Sequence, residues 1–397
     1  MNNVPDLIEH DKTGRNVDPK LQNHQIALLT FYYRGRPNVF PEVGVRNIRA
    51  FADPRDLYAR ALSTLACYAK RGNYTYLELT ETKLTDKKYA QACQQNEVHF
   101  RKHCIVAVTM KLHPELVWFY VLDADTAVIN PDHDLKEYLV SDKDLIFYER
   151  FNLWEIMSGN YIARNTAFSR RFLTELSNSA DSTWWNPESA PTTTFDNGPL
   201  HAMLLKYIYD DDEQVVKDCV ERLKISYYSF VFCAVHYLRK RRTSEHVHII
   251  RRAHAWSIDR NIVKDSWNTH VFMHHGWKET NLQTLDGTPL EPLPEGDQCT
   301  LNSSIGWSLR QRNYLKPSQM RDLLATQEKR QQQMLRLPLL ADVRHCWPDC
   351  ERLNTNSEFE LPIDWVGKVN RTRPGPTTTT KRMTKQIEKI RPNNDDY

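Results

Sequence analysis

The sequence predicts an α/β protein, with one mostly parallel sheet flanked by helices and a C-terminal extension after it. Three observations predict this. The patterned part of the chain opens with a strand, a helix and a strand in that order, over residues 24–79. The stretch Val117–Leu122 is apolar at every position, as a strand covered on both faces must be. After Glu279 the texture changes to prolines and polar residues that cannot build a second large core.

The elements follow in order. Residues 1–23 are polar and unpatterned and read as a flexible lead-in. His24–Tyr33 is short, apolar and aromatic, the pattern of a buried strand, and stops at Arg34-Gly-Arg-Pro37. Leu57–Arg71 carries apolar residues at helical spacing (Leu57, Ala61, Leu62, Leu65, Tyr68), with Gly72 as its expected C-cap. Tyr74–Leu79 is a strand, Tyr89–Leu112 a second helix, and Val117–Leu122 a central parallel strand. Shorter strands are expected at Leu145–Tyr148, Asn160–Ala163 and His270–His275, with helices at Ser169–Ser177 and Gly198–Ile208. The catalytic-type domain thus spans 24–285. An extension covers 286–365, with a polar helix at Ser318–Leu335, and a disordered tail is expected over 366–397.

Composition narrows the function classes. The chain has 397 residues, 40% hydrophobic and 26% charged, which describes a folded globular protein with room for one large core. A net charge of +3 creates no field that would favour nucleic acid, and the run Arg239–Arg242 reads as a solvated helix end. Eight cysteines without a Cys-x-x-Cys pair argue against a zinc ribbon, and Cys346 and Cys350 are expected to help staple the extension. Sequons at Asn73, Asn302 and Asn370 permit a secretory address. No signal peptide opens the sequence, and no apolar stretch reaches the ~20 residues that span a bilayer, so the chain is expected either to be soluble or to lack an upstream anchor.

The chemistry gathers at the end of the apolar strand. In Val121-Leu-Asp-Ala-Asp-Thr126, Asp123 stands at the carboxyl end, the edge where open α/β sheets bind ligands. Asp123 and Asp125, one residue apart, offer oxygen ligands suited to Mn²⁺ or Mg²⁺ bridged to the phosphates of a substrate. A cation there neutralises the charge that builds on a departing diphosphate. The bland alternative is a solvated acidic turn.

Other motifs agree in order. The segment Pro114–Pro131 resembles the metal-site strand of GT-A glycosyltransferases, and in particular family 34, the galactosyl-, mannosyl- and xylosyltransferases, together with a nematode group of related transferases. Phe100-Arg-Lys-His103, Ser158-Gly-Asn-Tyr-Ile-Ala-Arg-Asn165, Phe195-Asp-Asn-Gly198 and His274-His-Gly-Trp-Lys278 are similar to further family motifs over residues 24–280. The resemblance implies a GT-A, Rossmann-like sheet and retaining transfer of a hexose or pentose from a UDP- or GDP-sugar. A glycan, glycoprotein or glycolipid would accept it, in the Golgi or another secretory lumen.

The resemblance also implies roles. Asp123, Asp125 and one of His274 and His275 would hold the metal. Neighbouring residues on a strand face opposite sides, and the reading leans to His274. Asp196 and Asn197 would lie at the sugar and acceptor, although either suits a helix N-cap. Lys278 would meet the diphosphate as a point charge, beside Gly276. Thr30, Tyr32 and Tyr33 would flank the nucleoside, with Arg101, Lys102, Asn160 and Arg164 reaching the donor. Two rivals remain. A haloacid-dehalogenase-like phosphatase also uses an apolar strand ending in Asp-x-Asp, but wants Thr or Val at position 127, where this chain has Ala. An inactive sugar-nucleotide or glycan-binding protein on the same fold is the other.

Overall fold

The computed structural model describes residues 18–32, 54–80, 83, 85–179, 196–279, 282, 289–290, 299, 307, 309–335 and 343–349. The expected tail, most of the lead-in, Tyr33, Cys350 and the boundaries at 285 and 365 lie outside them.

A six-stranded sheet forms the centre, in the order β2-β1-β3-β6-β5-β7. Its strands are β1 (Ile26–Phe31), β2 (Thr75–Leu79), β3 (Trp118–Asp123), β5 (Leu145–Tyr148), β6 (Tyr161–Arg164) and β7 (Val247–Ile250). β1 pairs in parallel with β2 and β3, and β5 with β7; β6 alone runs against its neighbours β3 and β5. The sheet is therefore mostly parallel. The parallel pairing expected of β3 is found on its β1 side only, because β6 returns along its other edge.

β3 is apolar throughout because both faces are covered. Phe119 and Val121 enter one core, and Trp118, Tyr120 and Leu122 another. The first core is closed by α2 (Val98–Leu112), α3 (Ala167–Asn178), α4 (Asn197–Ile208), α5 (Glu213–Glu221) and α6 (Tyr227–Lys240). The second is closed by α1 (Ala59–Gly72) and by a small sheet of β4 (Thr126–Val128), β9 (Met273–His275) and β8 (Ser257–Asp259).

Several elements depart from the sequence reading. The long helix expected over Tyr89–Leu112 is a single turn at Lys87–Ala90 followed by α2. A disulfide joins Cys93 to Cys104 with their Cα atoms 5.6 Å apart, whereas eleven residues of continuous helix would separate them by about 16 Å. Asn73, not Gly72, caps α1 in the left-handed region; Gly72 is required because a Cβ there would sit 2.3 Å from the Tyr74 ring. The apolar stretch Ile225–Leu238, too short to span a bilayer, supplies most of α6, which packs within the first core.

The C-terminal helix α7 (Pro317–Leu335) shares a cluster with the main body: Met320 and Leu324 join Phe151, Ile262, Val263 and Val271. Beneath it lies an ion cluster. Glu149, 2% exposed, meets Arg242 at 2.9 Å, Arg252 at 3.3 Å and Arg239 at 3.4 Å. Arg252 reaches on to Glu328 of α7 at 3.3 Å. Disulfides also join Cys67 to Cys299 and Cys219 to Cys233, and Cys346 is disulfide-bonded as well.

Candidate metal centre

Chain order reverses between β1 and β3. From β1 the chain crosses to β2 on one side and then returns to β3 on the other, so a crevice opens at the carboxyl ends of β1 and β3. Asp123, the last residue of β3, stands there beside Phe31 of β1. The chain then turns through Ala124 and Asp125 into β4, where Thr126 pairs with His275 of β9, and His275 pairs in turn with Asp259 of β8. The Asp125 carbonyl accepts from the N–H groups of Gly276 (3.1 Å) and Trp277 (2.8 Å), and Gly276 takes φ +99° to make that approach. Register and turn together bring Asp125 and His275 to one place.

The result is a cluster in which ligand atoms of Asp123, Asp125 and His275 all lie within 4.8 Å of one another. His275 Nε2 is 3.3 Å from Asp125 Oδ1 and 3.6 Å from Asp123 Oδ2. Two carboxylates and one imidazole make a mixed oxygen and nitrogen set, of a kind that suits Mn²⁺. Gly159 presses against this cluster: a Cβ there would stand 1.9 Å from Asp123 Oδ2.

His274, towards which the sequence leans, does not join this cluster. It is wholly buried on the opposite face of β9, and burial followed by the nearby Arg260 pushes its pKa down to about 3, so it is a neutral core residue. Alternation along the strand makes the two histidines exclusive, and the register with β4 selects His275.

His275 is oriented by a residue that the sequence reading missed. Its Nδ1 lies 2.9 Å from Asp259 Oδ1, and Asp259 is paired with Arg150 at 3.0 Å. Burial opposes a charge on His275, but Asp125, Asp123 and Asp259 raise its pKa to about 10. Asp259 ends a three-residue strand, too short to leave a periodic signal. Carboxylates behind a ligating imidazole fix its ring and tautomer. Asp259→Asn is accordingly expected to weaken Mn²⁺ binding about 10–100-fold in titration calorimetry. Unchanged affinity would remove Asp259 from the site.

Cations flank the carboxylates. Lys102 is buried, 2.8 Å from Asp196 Oδ2 and 3.8 Å from Asp123 Oδ1, and Asp196 also meets His103 Nε2 at 2.9 Å. Burial works against both carboxyls, yet Lys102 and His275 hold Asp123, and Lys102 and His103 hold Asp196, well below the usual carboxylate range. Lys278 Nζ stands 3.8 Å from Asp125 Oδ2 and is partly exposed. Tyr58, absent from the sequence reading, sits close enough for its pKa to be pushed up by burial and by Asp125 and Asp123.

The other expected site residues stand differently. Asn160 is wholly buried: its Oδ1 accepts from the Asp123 N–H (2.7 Å) and the Thr126 hydroxyl (3.2 Å), and its Nδ2 donates to Tyr148. It braces the acidic turn instead of reaching a donor. Asp196 precedes α4 without capping it, its carboxylate being directed to Lys102 and His103. Asn197 accepts from the Ser158 N–H and donates to Glu155, so its amide is tied down at both ends. Thr30 is wholly buried within the sheet, and the Tyr32 hydroxyl donates to Glu78 (2.8 Å). Arg101 is half-buried on α2, one position before Lys102 and so about 100° away around the helix. Arg164 pairs with Trp118 at the far end of β3, across the sheet from the metal cluster.

The profile of the family described as "Protein of unknown function, DUF273" matches residues 65–292, more than half of the chain. The chain belongs to the DUF273 family. The matched segment of this DUF273 protein holds Lys102, Asp123, Asp125, Asp196, Asp259, His275 and Lys278, and leaves out β1 and α7. No curated protein matches the chain in sequence. Among solved structures, a glycosyltransferase involved in the glycosylation of the major capsid of PBCV-1 is similar at 12% identity and a TM-score of 0.37, over 63% of this chain and 92% of that one.

Proposed function

We propose that the chain is a metal-dependent glycosyltransferase, taking a hexose or pentose from a UDP- or GDP-sugar and passing it, with retention, to a glycan, glycoprotein or glycolipid. The observation that carries the reading is the convergence of Asp123, Asp125 and His275 at the crevice between β1 and β3. The resemblance of the strand and its downstream motifs to family 34 supports the choice of sugar nucleotides over other phosphorylated ligands.

In this reading Asp123, Asp125 and His275 hold Mn²⁺, which when bound supplies positive charge to the diphosphate as the glycosidic bond breaks. Lys278, partly exposed beside Asp125, places a second positive charge at the same phosphates. Lys102 and Asp196 act from below, keeping Asp123 ionised and fixed in direction. Asp259 and Arg150 hold the His275 ring. The disulfides Cys67–Cys299, Cys93–Cys104 and Cys219–Cys233 favour an oxidising compartment, in keeping with a secretory lumen.

Titration calorimetry with UDP and GDP, with and without Mn²⁺, is the first test. Binding is expected only with the cation, because an acidic cluster repels a diphosphate unless a cation bridges them. Equal affinity in the presence of a chelator would sink the proposal. A panel of sugar nucleotides then separates the rivals: a transferase releases nucleoside diphosphate, a phosphatase instead turns over simple phosphate esters, and an inactive protein binds without turnover.

A further inference from the structure

We propose that Asn73 accepts an N-linked glycan, carried at the edge of the sheet opposite the metal centre. Asn73-Tyr74-Thr75 has the Asn-x-Thr spacing, which is common by chance and decides nothing alone. The fold supplies what the spacing lacks. α1 ends at Gly72, and Asn73 caps it at φ 55°, ψ 37°, a left-handed conformation that asparagine tolerates better than most residues. On one side Asn23 Nδ2 holds the Gly72 carbonyl at 2.8 Å. On the other, Tyr74 turns inward, its ring stacked on Tyr68 at 5.5 Å and its hydroxyl donating to Asp134. Both neighbours are anchored, and Asn73 is left exposed to solvent between them.

Position matters as much as exposure. β2 begins at Thr75, so Asn73 lies at the amino ends of the parallel strands, whereas Asp123 lies at their carboxyl ends. Five or six residues of strand at ~3.3 Å each separate the two edges by roughly 16–20 Å, enough to keep a glycan clear of the crevice. The three described disulfides, Cys67–Cys299, Cys93–Cys104 and Cys219–Cys233, fit the oxidising lumen in which such glycans are added. In that reaction the Asn73 amide nitrogen forms a C–N bond to the anomeric carbon of an oligosaccharide carried on a polyprenyl diphosphate. The C–O bond to the diphosphate breaks, the lipid diphosphate leaves, and a base of the host oligosaccharyltransferase takes the amide proton. This inference is independent of what the metal centre does.

The test expresses the full chain behind a cleavable secretion leader in insect cells. Peptides from a protease digest of the secreted, disulfide-bonded protein are stripped of glycan with peptide N-glycosidase in heavy-oxygen water, which turns a glycosylated asparagine into labelled aspartate. Label at position 73 is expected in most molecules, lost in Thr75→Ala and kept in Thr75→Ser. Unlabelled Asn73 in the secreted wild type overturns the proposal, whether or not Asn302 and Asn370 carry label. The wild-type peptide decides the question even if Thr75→Ala fails to fold.

Discussion

Asp125→Ala is expected to lower sugar transfer at least ~10²-fold while the protein stays folded. The loss follows from removing an anionic ligand at a site whose function is to neutralise charge as the diphosphate departs, comparable to deleting one preorganised electrostatic group. Folding survives because the backbone contacts that shape the turn do not depend on the side chain: the Asp125 carbonyl, which alanine retains, accepts the Gly276 and Trp277 N–H groups. The buried carboxylate does meet His275 at 3.3 Å, but without it His275 keeps Asp259 at 2.9 Å and Asp123 at 3.6 Å as counter-charges. A transfer assay paired with a thermal melt checks this. Full activity, or lost activity with a collapsed melting transition, would refute the ligand assignment.

Glu149→Gln is expected to cost about 3–5 kcal/mol of stability, because it removes from a buried site the carboxylate that Arg242, Arg252 and Arg239 share. The same residue should dominate part of the acid sensitivity. Burial opposes its charge, but Arg242, Arg239 and Arg252 pull its pKa down to about 2, below the value near 4.5 of a free glutamate. A depressed carboxyl contributes stability that is fully present above the unfolded pKa and lost as pH falls through the folded one. Melting temperature is therefore expected to drop between about pH 5 and pH 2, and Glu149→Gln to flatten that slope. An identical pH profile in the two proteins would show that the arginine cluster does not depend on Glu149. Since Arg252 also holds Glu328, the variant is expected to loosen α7 as well, read as faster hydrogen exchange in Pro317–Leu335.

Much of the scaffold was legible because its signals are local. β1, α1, β2 and β3 each carry a run whose period or apolarity survives in any context, and the wholly apolar β3 announced a strand covered on both faces. Asp123 and Asp125 followed directly, since a pair of carboxylates after such a strand lands at the sheet's ligand edge whatever the rest does. Elements of three residues, such as β4 and β8, have no period to read, and Asp259 was invisible for that reason. Asn160 and Asn197 looked like donors and acceptors for a ligand because an amide's partners cannot be seen in a sequence. Each is spent inside the fold, on the acidic turn and on Glu155.

The sequence by itself determined the class of the fold, the strand that ends in the acidic pair, and the residue types from which a cation site could be built. Only the tertiary structure decided which histidine completes the pair. His274 and His275 are chemically identical and adjacent; the antiparallel register of β9 on β4 turns one into the core and the other toward Asp125. It likewise decided that Lys102 serves Asp196 as well as Asp123, and that Arg164 stands at the wrong edge, because β6 reverses direction. The physical reason is common to all three. What a side chain faces depends on contacts between segments distant in the chain or on strand direction, and no local pattern encodes either.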